Sequence, residues 1–213
     1  MDYFNPKEAI HQKRFANFRD KVLTNVNAFW MRHGITPNHL TVVGIALLVI
    51  STVGGRSLGA YGFVAGFMLF FYVVFDGMDG PLARAMGRTH QGGAIVDICA
   101  DQLGPVLVVA ASIHHMGSNG IAATLFGAFY VGFIALVLFT KQNQITIPFG
   151  LLRVKYLLYF VYSIGLLFPV DSATPFMFFF SGYYAIYIVR VVRVIYYHYD
   201  QLWIEQNQHV EQQ

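Results

Sequence analysis

The sequence predicts an all-α polytopic membrane protein, with an N-terminal amphipathic helix in the headgroup plane followed by six transmembrane helices. Three observations predict it. Of 213 residues, 56% are hydrophobic and 12% charged, where an ordinary soluble domain carries about 25% charged residues. Six apolar stretches recur along the chain, each near the roughly 20 residues that a spanning helix needs. Lysine and arginine gather in alternate connections between them, as retention of positive charge on one side of the membrane requires.

The elements follow in order. Asn5, Pro6 and Glu8 read as N-cap, first helical residue and capping-box acid. Phe15, Phe18, Val22, Val26 and Phe29 then recur at helical spacing, with Lys13, Arg14, Arg19 and Lys21 around them and Trp30 at the end. Such a helix buries one face at the headgroup boundary. No apolar signal-peptide core occurs in the first thirty residues, so the first span is expected to direct insertion. Thr36-Pro37 opens that span, and its apolar run stops at Val53 before Gly54-Gly55-Arg56-Ser57. Further spans are expected at 58–75, 92–113, 120–139, 151–168 and 175–192. Gly55-x3-Gly59 and Gly62-x3-Gly66 suit close helix approach, chiefly within one chain. The chain thus divides into an amphipathic segment (1–35), a six-helix domain (36–200) and a polar tail (201–213) expected to fray from Gln206 onward.

Six basic residues precede the first span; Arg84, Arg88, Lys141, Arg153, Lys155, Arg190 and Arg193 fall on the same side, and Arg56 on the other. Both termini are therefore expected in the cytoplasm, with the chain in the inner membrane if its source is bacterial. Trp30, Tyr196, Tyr197 and Trp203 suit an interfacial aromatic belt. The single cysteine, Cys99, excludes an intramolecular disulfide and a cysteine zinc cluster, and reads as a small buried hydrophobe. A formal charge of +3 with no basic run argues against a nucleic-acid partner.

Four of the eleven acidic residues, Asp76, Asp79, Asp97 and Asp101, fall at or inside the ends of the second and third spans. An aspartate at a helix centre costs about 2.5 to 3.5 kcal/mol on insertion scales, so the group needs neutralising charge. The spacings of three and four put each pair on one helix face, and facing carboxylates repel unless cations intervene. Mg²⁺ or Mn²⁺ suits an all-oxygen site, and two ions would form a clamp for phosphoryl transfer. Gly77, Gly80, Gly92 and Gly93 allow close approach of a phosphate or a helix, and the fork of Arg84 can hold a phosphate through two hydrogen bonds. His90, His114 and His115 read as solvated or interfacial.

Together the stretch reads Asp76-x2-Asp79-Gly80-x2-Ala83-Arg84-x8-Gly93-x3-Asp97-x3-Asp101. This resembles the signature of the CDP-alcohol phosphotransferase family, phospholipid synthase type, at all eight fixed positions over 26 residues. The Thr36-Pro37-Asn38-x2-Thr41 opening of span one also resembles the family. The resemblance implies Asp76, Asp79 and Asp97 as metal ligands, with Asp101 joining them and serving as general base. It implies Gly80, Ala83, Arg84 and Gly93 as the shape of the CDP site, with Asn38 and Thr41 as weaker contributors. It further implies a CDP-alcohol donor, here CDP-diacylglycerol, a hydroxyl acceptor, release of CMP, membrane lipid as partner, and a homodimer. The acceptor stays open between glycerol 3-phosphate and inositol phosphate. Lys141, Arg153, Lys155, Arg190 and Arg193 either line the mouth of the site for an acceptor phosphate or act as topology signals. A CDP-choline or CDP-ethanolamine phosphotransferase is the alternative within the family. An ion- or proton-coupled transporter is the rival outside it, since buried aspartates also mark ion paths.

Overall fold

A computed structural model of the chain describes residues 14, 18–54, 62–89, 91–148, 152, 154–168 and 170–211. Residues 18–22 are helical, and after them run seven helices, with no strand among the described residues: α1 (Thr24–Arg32), α2 (Pro37–Gly54), α3 (Gly62–Ala85), α4 (Gln91–Met116), α5 (Gly120–Gln142), α6 (Lys155–Leu167) and α7 (Ala173–Glu211). Asn5, Pro6, Glu8, Lys13, Phe15, Gly55, Arg56, Gly59, His90 and Arg153, named above, lie outside the described residues.

Among the described residues, five helices are long and apolar enough to cross a membrane: Pro37–Gly54, Gly62–Ala85, Ile95–Met116, Gly120–Gln142 and Ala173–Glu205. The chain is an integral membrane protein. The fifth expected span, 151–168, is instead the 13-residue helix α6, about 20 Å long against a hydrocarbon core of about 30 Å. Its first residue, Lys155, turns inward to two carboxylates instead of outward to solvent. The last span departs in the other direction. α7 runs 39 residues and stays helical to Glu211, through the stretch expected to be a fraying tail, because neither proline nor glycine follows Gly182 to interrupt it.

In lipid the apolar surface gains nothing by leaving its solvent, so helices associate through close packing and internal hydrogen bonds. α3 packs on α2 and α6, α4 lies against α6, and α5 packs along α7. Phe126, Tyr130 and Phe133 of α5 surround Tyr184 of α7, with ring centroids 6.0, 5.6 and 5.0 Å away. At Gly62 an added Cβ would stand 2.7 Å from the Leu166 carbonyl oxygen, so only glycine lets α3 and α6 meet there. The Gly62-x3-Gly66 pair thus serves packing within the chain. Large apolar side chains such as Val53, Phe63 and Phe179 point outward, at 69, 63 and 71% exposure, a surface suited to acyl chains.

The amphipathic segment behaves in part as its pattern predicts. Phe18, Val22, Val26 and Phe29 are exposed. The face turned to the protein is a different one: Leu23 and Trp30 pack against Leu40, Met78 and Leu82, and Asn27 is buried. Trp30 is therefore a packing residue, whereas Tyr196, Tyr197 and Trp203 are exposed as a belt requires. Cys99, expected to be buried, is exposed on α4. At the end of the bundle away from the motif, His115 Nε2 donates to the Thr52 carbonyl at 2.6 Å. Ser118 Oγ and the Thr174 amide donate to Asp171 at 2.7 and 3.1 Å. Burial would raise the Asp171 carboxyl, but the bonds from Thr174 and Ser118 hold it below the ordinary range.

Candidate active site

The acidic motif is carried by two helices joined by a tight reversal. α3 ends in a left-handed glycine, Gly87 at φ +63°, where the Gly87 amide donates to the Arg84 carbonyl and the Arg88 amide to the Ala83 carbonyl, at 3.1 and 2.9 Å. This pattern satisfies the last carbonyls of the helix and turns the chain toward α4. Pro81 and Pro105 lie inside the two helices. Proline has no N–H, so neither Gly77 nor Asp101 receives the usual bond to its carbonyl from four residues on, and the helices can bend beside the motif.

Asp76, Asp97 and Asp101 each offer a carboxylate oxygen within 4.8 Å of the others. Asp97 is exposed, whereas Asp76 and Asp101 are half-buried. Asp79, three residues after Asp76, is half-buried and accepts a hydrogen bond from Thr41 Oγ1 at 2.9 Å. Thr41 also donates to the Pro37 carbonyl at 3.2 Å. Its hydroxyl thereby ties the start of α2 to the acidic helix and orients one carboxylate. Asn38, one turn earlier, is exposed and brings no described bond to the aspartates.

The donor set fits a hard divalent cation. It is all oxygen, several carboxylates converge from two helices, and a hydroxyl orients one of them, an arrangement suited to Mg²⁺ or Mn²⁺. The glycines leave space around it. A Cβ at Gly77 would meet nothing within 4 Å, and one at Gly80 would meet only Arg84 Nη1 at 3.6 Å. These positions therefore leave open space beside the motif and do not seat a neighbouring helix. Ala83 is half-buried beside them, and Gly93 is half-buried at the start of α4.

Arg84 is exposed, and its fork holds a carboxylate: Nε and Nη2 donate to the two oxygens of Asp20, at 2.9 and 2.7 Å. That pair fastens the amphipathic segment to the end of α3. The Arg84 guanidinium holds the Asp20 carboxyl below its usual range, against the opposing effect of burial.

Residues 34–196 match the CDP-alcohol phosphatidyltransferase family. The chain belongs to that family. Among curated relatives it is 30% identical over 96 residues to phosphatidylinositol phosphate synthase of Streptomyces avermitilis, a match covering 45% of this chain and 39% of that protein. It is 34% identical over 76 residues to archaetidylinositol phosphate synthase of Pyrococcus horikoshii, covering 33% and 36%. The matches thus span about two fifths of the length of the relatives. Two crystal structures of Mycobacterium tuberculosis phosphatidylinositol phosphate synthase share the fold. The one in complex with manganese and citrate gives a TM-score of 0.64 at 19% identity over 81% of this chain and 88% of the other. The one with CDP-DAG bound gives 0.64 at 20% identity, over 83% and 94%.

Three features of this family member were not foreseen from its sequence. Lys155, expected either to line the mouth or to act as a topology signal, is only 4% exposed; its Nζ donates to Asp76 Oδ2 at 2.9 Å and also to Asp101 Oδ1. Tyr156 OH donates to the same Asp76 oxygen at 3.0 Å. Tyr156 also lines a groove of about 330 Å³, shared with Phe63, Phe67, Phe70, Val73 and Phe160, so an apolar channel between α3 and α6 meets the acidic cluster at one side chain. The pairing of Asp20 with Arg84 is the third. The only signal for Lys155 was an ionisable residue opening an apolar run, which the orientation rule already explained.

Proposed function

We propose that this chain transfers a phosphatidyl group from CDP-diacylglycerol to a hydroxyl of an inositol phosphate and releases CMP. The observation that carries the reading is the convergence of Asp76, Asp97 and Asp101 oxygens within 4.8 Å, next to an apolar groove that shares Tyr156 with the cluster. A lipid donor needs both: a polar centre for its diphosphate and an apolar path for its chains. The acceptor follows from the relatives, which are named as inositol phosphate lipid synthases. Glycerol 3-phosphate is the second acceptor to be tried.

Asp76, Asp79, Asp97 and Asp101 would hold one or two Mg²⁺ or Mn²⁺ ions, which when bound supply charge neutralisation for the donor diphosphate. The remaining chemistry belongs to the chain. Asp101 takes the proton from the acceptor hydroxyl as that oxygen attacks the phosphorus bearing diacylglycerol. A bond forms from oxygen to phosphorus, the bond from that phosphorus to the oxygen of CMP breaks, and CMP leaves with the electron pair. Thr41 steadies Asp79, Gly77 and Gly80 leave room for the diphosphate, and Ala83, Gly93 and Asn38 border the nucleotide. Arg84 can exchange Asp20 for a phosphate oxygen. The lysine and arginine distribution supports a site and both termini facing the cytoplasm, and a homodimer is the assembly the family resemblance suggests.

The test uses the purified full chain with CDP-diacylglycerol and Mg²⁺ or Mn²⁺, offering inositol phosphate, glycerol 3-phosphate, inositol and serine one at a time. CMP and a new phospholipid are expected with inositol phosphate from the unmodified chain and not from Asp101→Asn. Release with a different acceptor would replace the acceptor assignment. No release with any, but turnover of CDP-choline or CDP-ethanolamine with diacylglycerol, would overturn the donor.

A further inference from the structure

A lysine at the first residue of an apolar helix ordinarily extends its charge toward water. Lys155 does the opposite. It is 4% exposed, and its ammonium bridges carboxylates on two helices, Asp76 on α3 at 2.9 Å and Asp101 on α4. Those two residues are also members of the oxygen cluster. We propose that Lys155 is a built-in competitor for the divalent cation, holding Asp76 and Asp101 together by its own charge and setting how tightly the aspartate site takes up metal. The inference rests on the metal-dependent reading above.

The argument is one of shared ligands and charge. Asp76 Oδ2 already accepts from Lys155 and from Tyr156 at 2.9 and 3.0 Å. A divalent ion on that oxygen would stand close to an ammonium, and like charges at such separation in a poorly solvated site repel strongly. Metal uptake must therefore displace the ammonium or accept its repulsion, and either route weakens apparent affinity. Counting charges leads the same way. Four aspartates balance two divalent ions without Lys155, whereas one divalent ion plus Lys155 leaves a single negative charge. The structure also holds a nearby alternative for a displaced ammonium: the face of the Tyr156 ring, whose centroid is 4.6 Å from Nζ, attracts cations by its quadrupole. The Tyr156 hydroxyl can keep Asp76 in place while the ammonium moves.

The test is Mn²⁺ binding to the purified full chain without nucleotide or acceptor, read by electron paramagnetic resonance of the free ion at fixed pH and ionic strength. Lys155→Met, which keeps most of the unbranched side chain and removes its charge, is expected to bind Mn²⁺ about tenfold more tightly. Lys155→Arg, which keeps the charge, is expected to stay within about threefold of the unmodified chain. Equal or weaker binding by a folded Lys155→Met would overturn the inference and leave the metal site standing; no Mn²⁺ uptake by the unmodified chain would overturn both. Where Lys155→Met alone does not fold, a charge-balanced pair decides. Asp76→Asn with Lys155→Met should bind more tightly than Asp76→Asn alone, and equal or weaker binding would overturn the competition.

Discussion

Lys155 Nζ lies 2.9 Å from Asp76 Oδ2, and through this bond and its partner on Asp101 the first residue of α6 joins both acidic helices. Side-chain exposure of 5% for Lys155 and 7% for Asp76 makes it a pair that water does little to screen.

Breaking a buried pair by removing one partner leaves an uncompensated charge and costs about 3 to 5 kcal/mol. Lys155→Ala is therefore expected to lower the thermal midpoint markedly in chelator-containing buffer. Added Mn²⁺ should raise the midpoint of the variant more than that of the unmodified chain, because the ion replaces the missing cation. Scanning fluorimetry with and without Mn²⁺ measures both shifts.

The assigned base and the exposed ligand should separate in two assays. Asp101→Asn is expected to lower CMP release on the order of 10² to 10⁴-fold, the usual worth of positioned proton transfer. Asp97→Ala is expected to lose Mn²⁺ affinity together with turnover. Turnover near that of the unmodified chain in either variant would remove its role.

Thr41→Val keeps side-chain volume and removes the hydroxyl that donates to Asp79 at 2.9 Å. Partners that orient a ligand are typically worth about 10 to 100-fold in metal affinity or activity, so a loss of about tenfold in Mn²⁺ affinity is expected with little change in the melting midpoint. If Thr41 acted only on the Pro37 carbonyl, metal affinity would stay unchanged.

The Asp20 and Arg84 pair gives a pH signature. The Arg84 hydrogen bonds lower the Asp20 carboxyl, so the contribution is present above the ordinary carboxylate range and is lost as pH falls through the lowered folded-state value. With side chains 42% and 35% exposed, screening keeps it to roughly 1 kcal/mol or less. Asp20→Asn should thus release the amphipathic segment to protease more readily at pH 7. At pH 3 that difference should shrink.

Two glycines should respond in opposite ways. Gly62→Ala sets a methyl against the Leu166 carbonyl at 2.7 Å, and overpacking of this kind costs about 1 to 3 kcal/mol. Gly77→Ala meets nothing within 4 Å and gains helix propensity of about 1 kcal/mol, so its melting midpoint should hold or rise. A fall in CMP release by Gly77→Ala at unchanged stability is expected if that space admits the donor.

Features that are local or carried by spacing were legible in the order of the residues. Apolar length gave the helices, because a backbone in lipid must satisfy its polar groups within one helix. The intervals between Asp76, Asp79, Asp97 and Asp101 put two carboxylates on each of two faces, and the surrounding glycine, alanine and arginine pointed to the family. Tertiary structure alone decided what depends on contacts distant in sequence. Lys155 is 79 residues from Asp76 and 54 from Asp101, so no periodicity could reveal that it sits between them. Asp20 and Arg84 are 64 residues apart, and a pattern that assigned Arg84 to phosphate could not show which carboxylate shares its fork. The inward-facing side of the amphipathic segment escaped for a related reason: exposed Phe18, Val22, Val26 and Phe29 carry the stronger periodicity, while Trp30 packs against Leu40, Met78 and Leu82 and Asn27 is buried. A helix pattern reports how apolar each face is, but in a membrane both lipid and protein accept apolar surface, so only packing decides which face meets which.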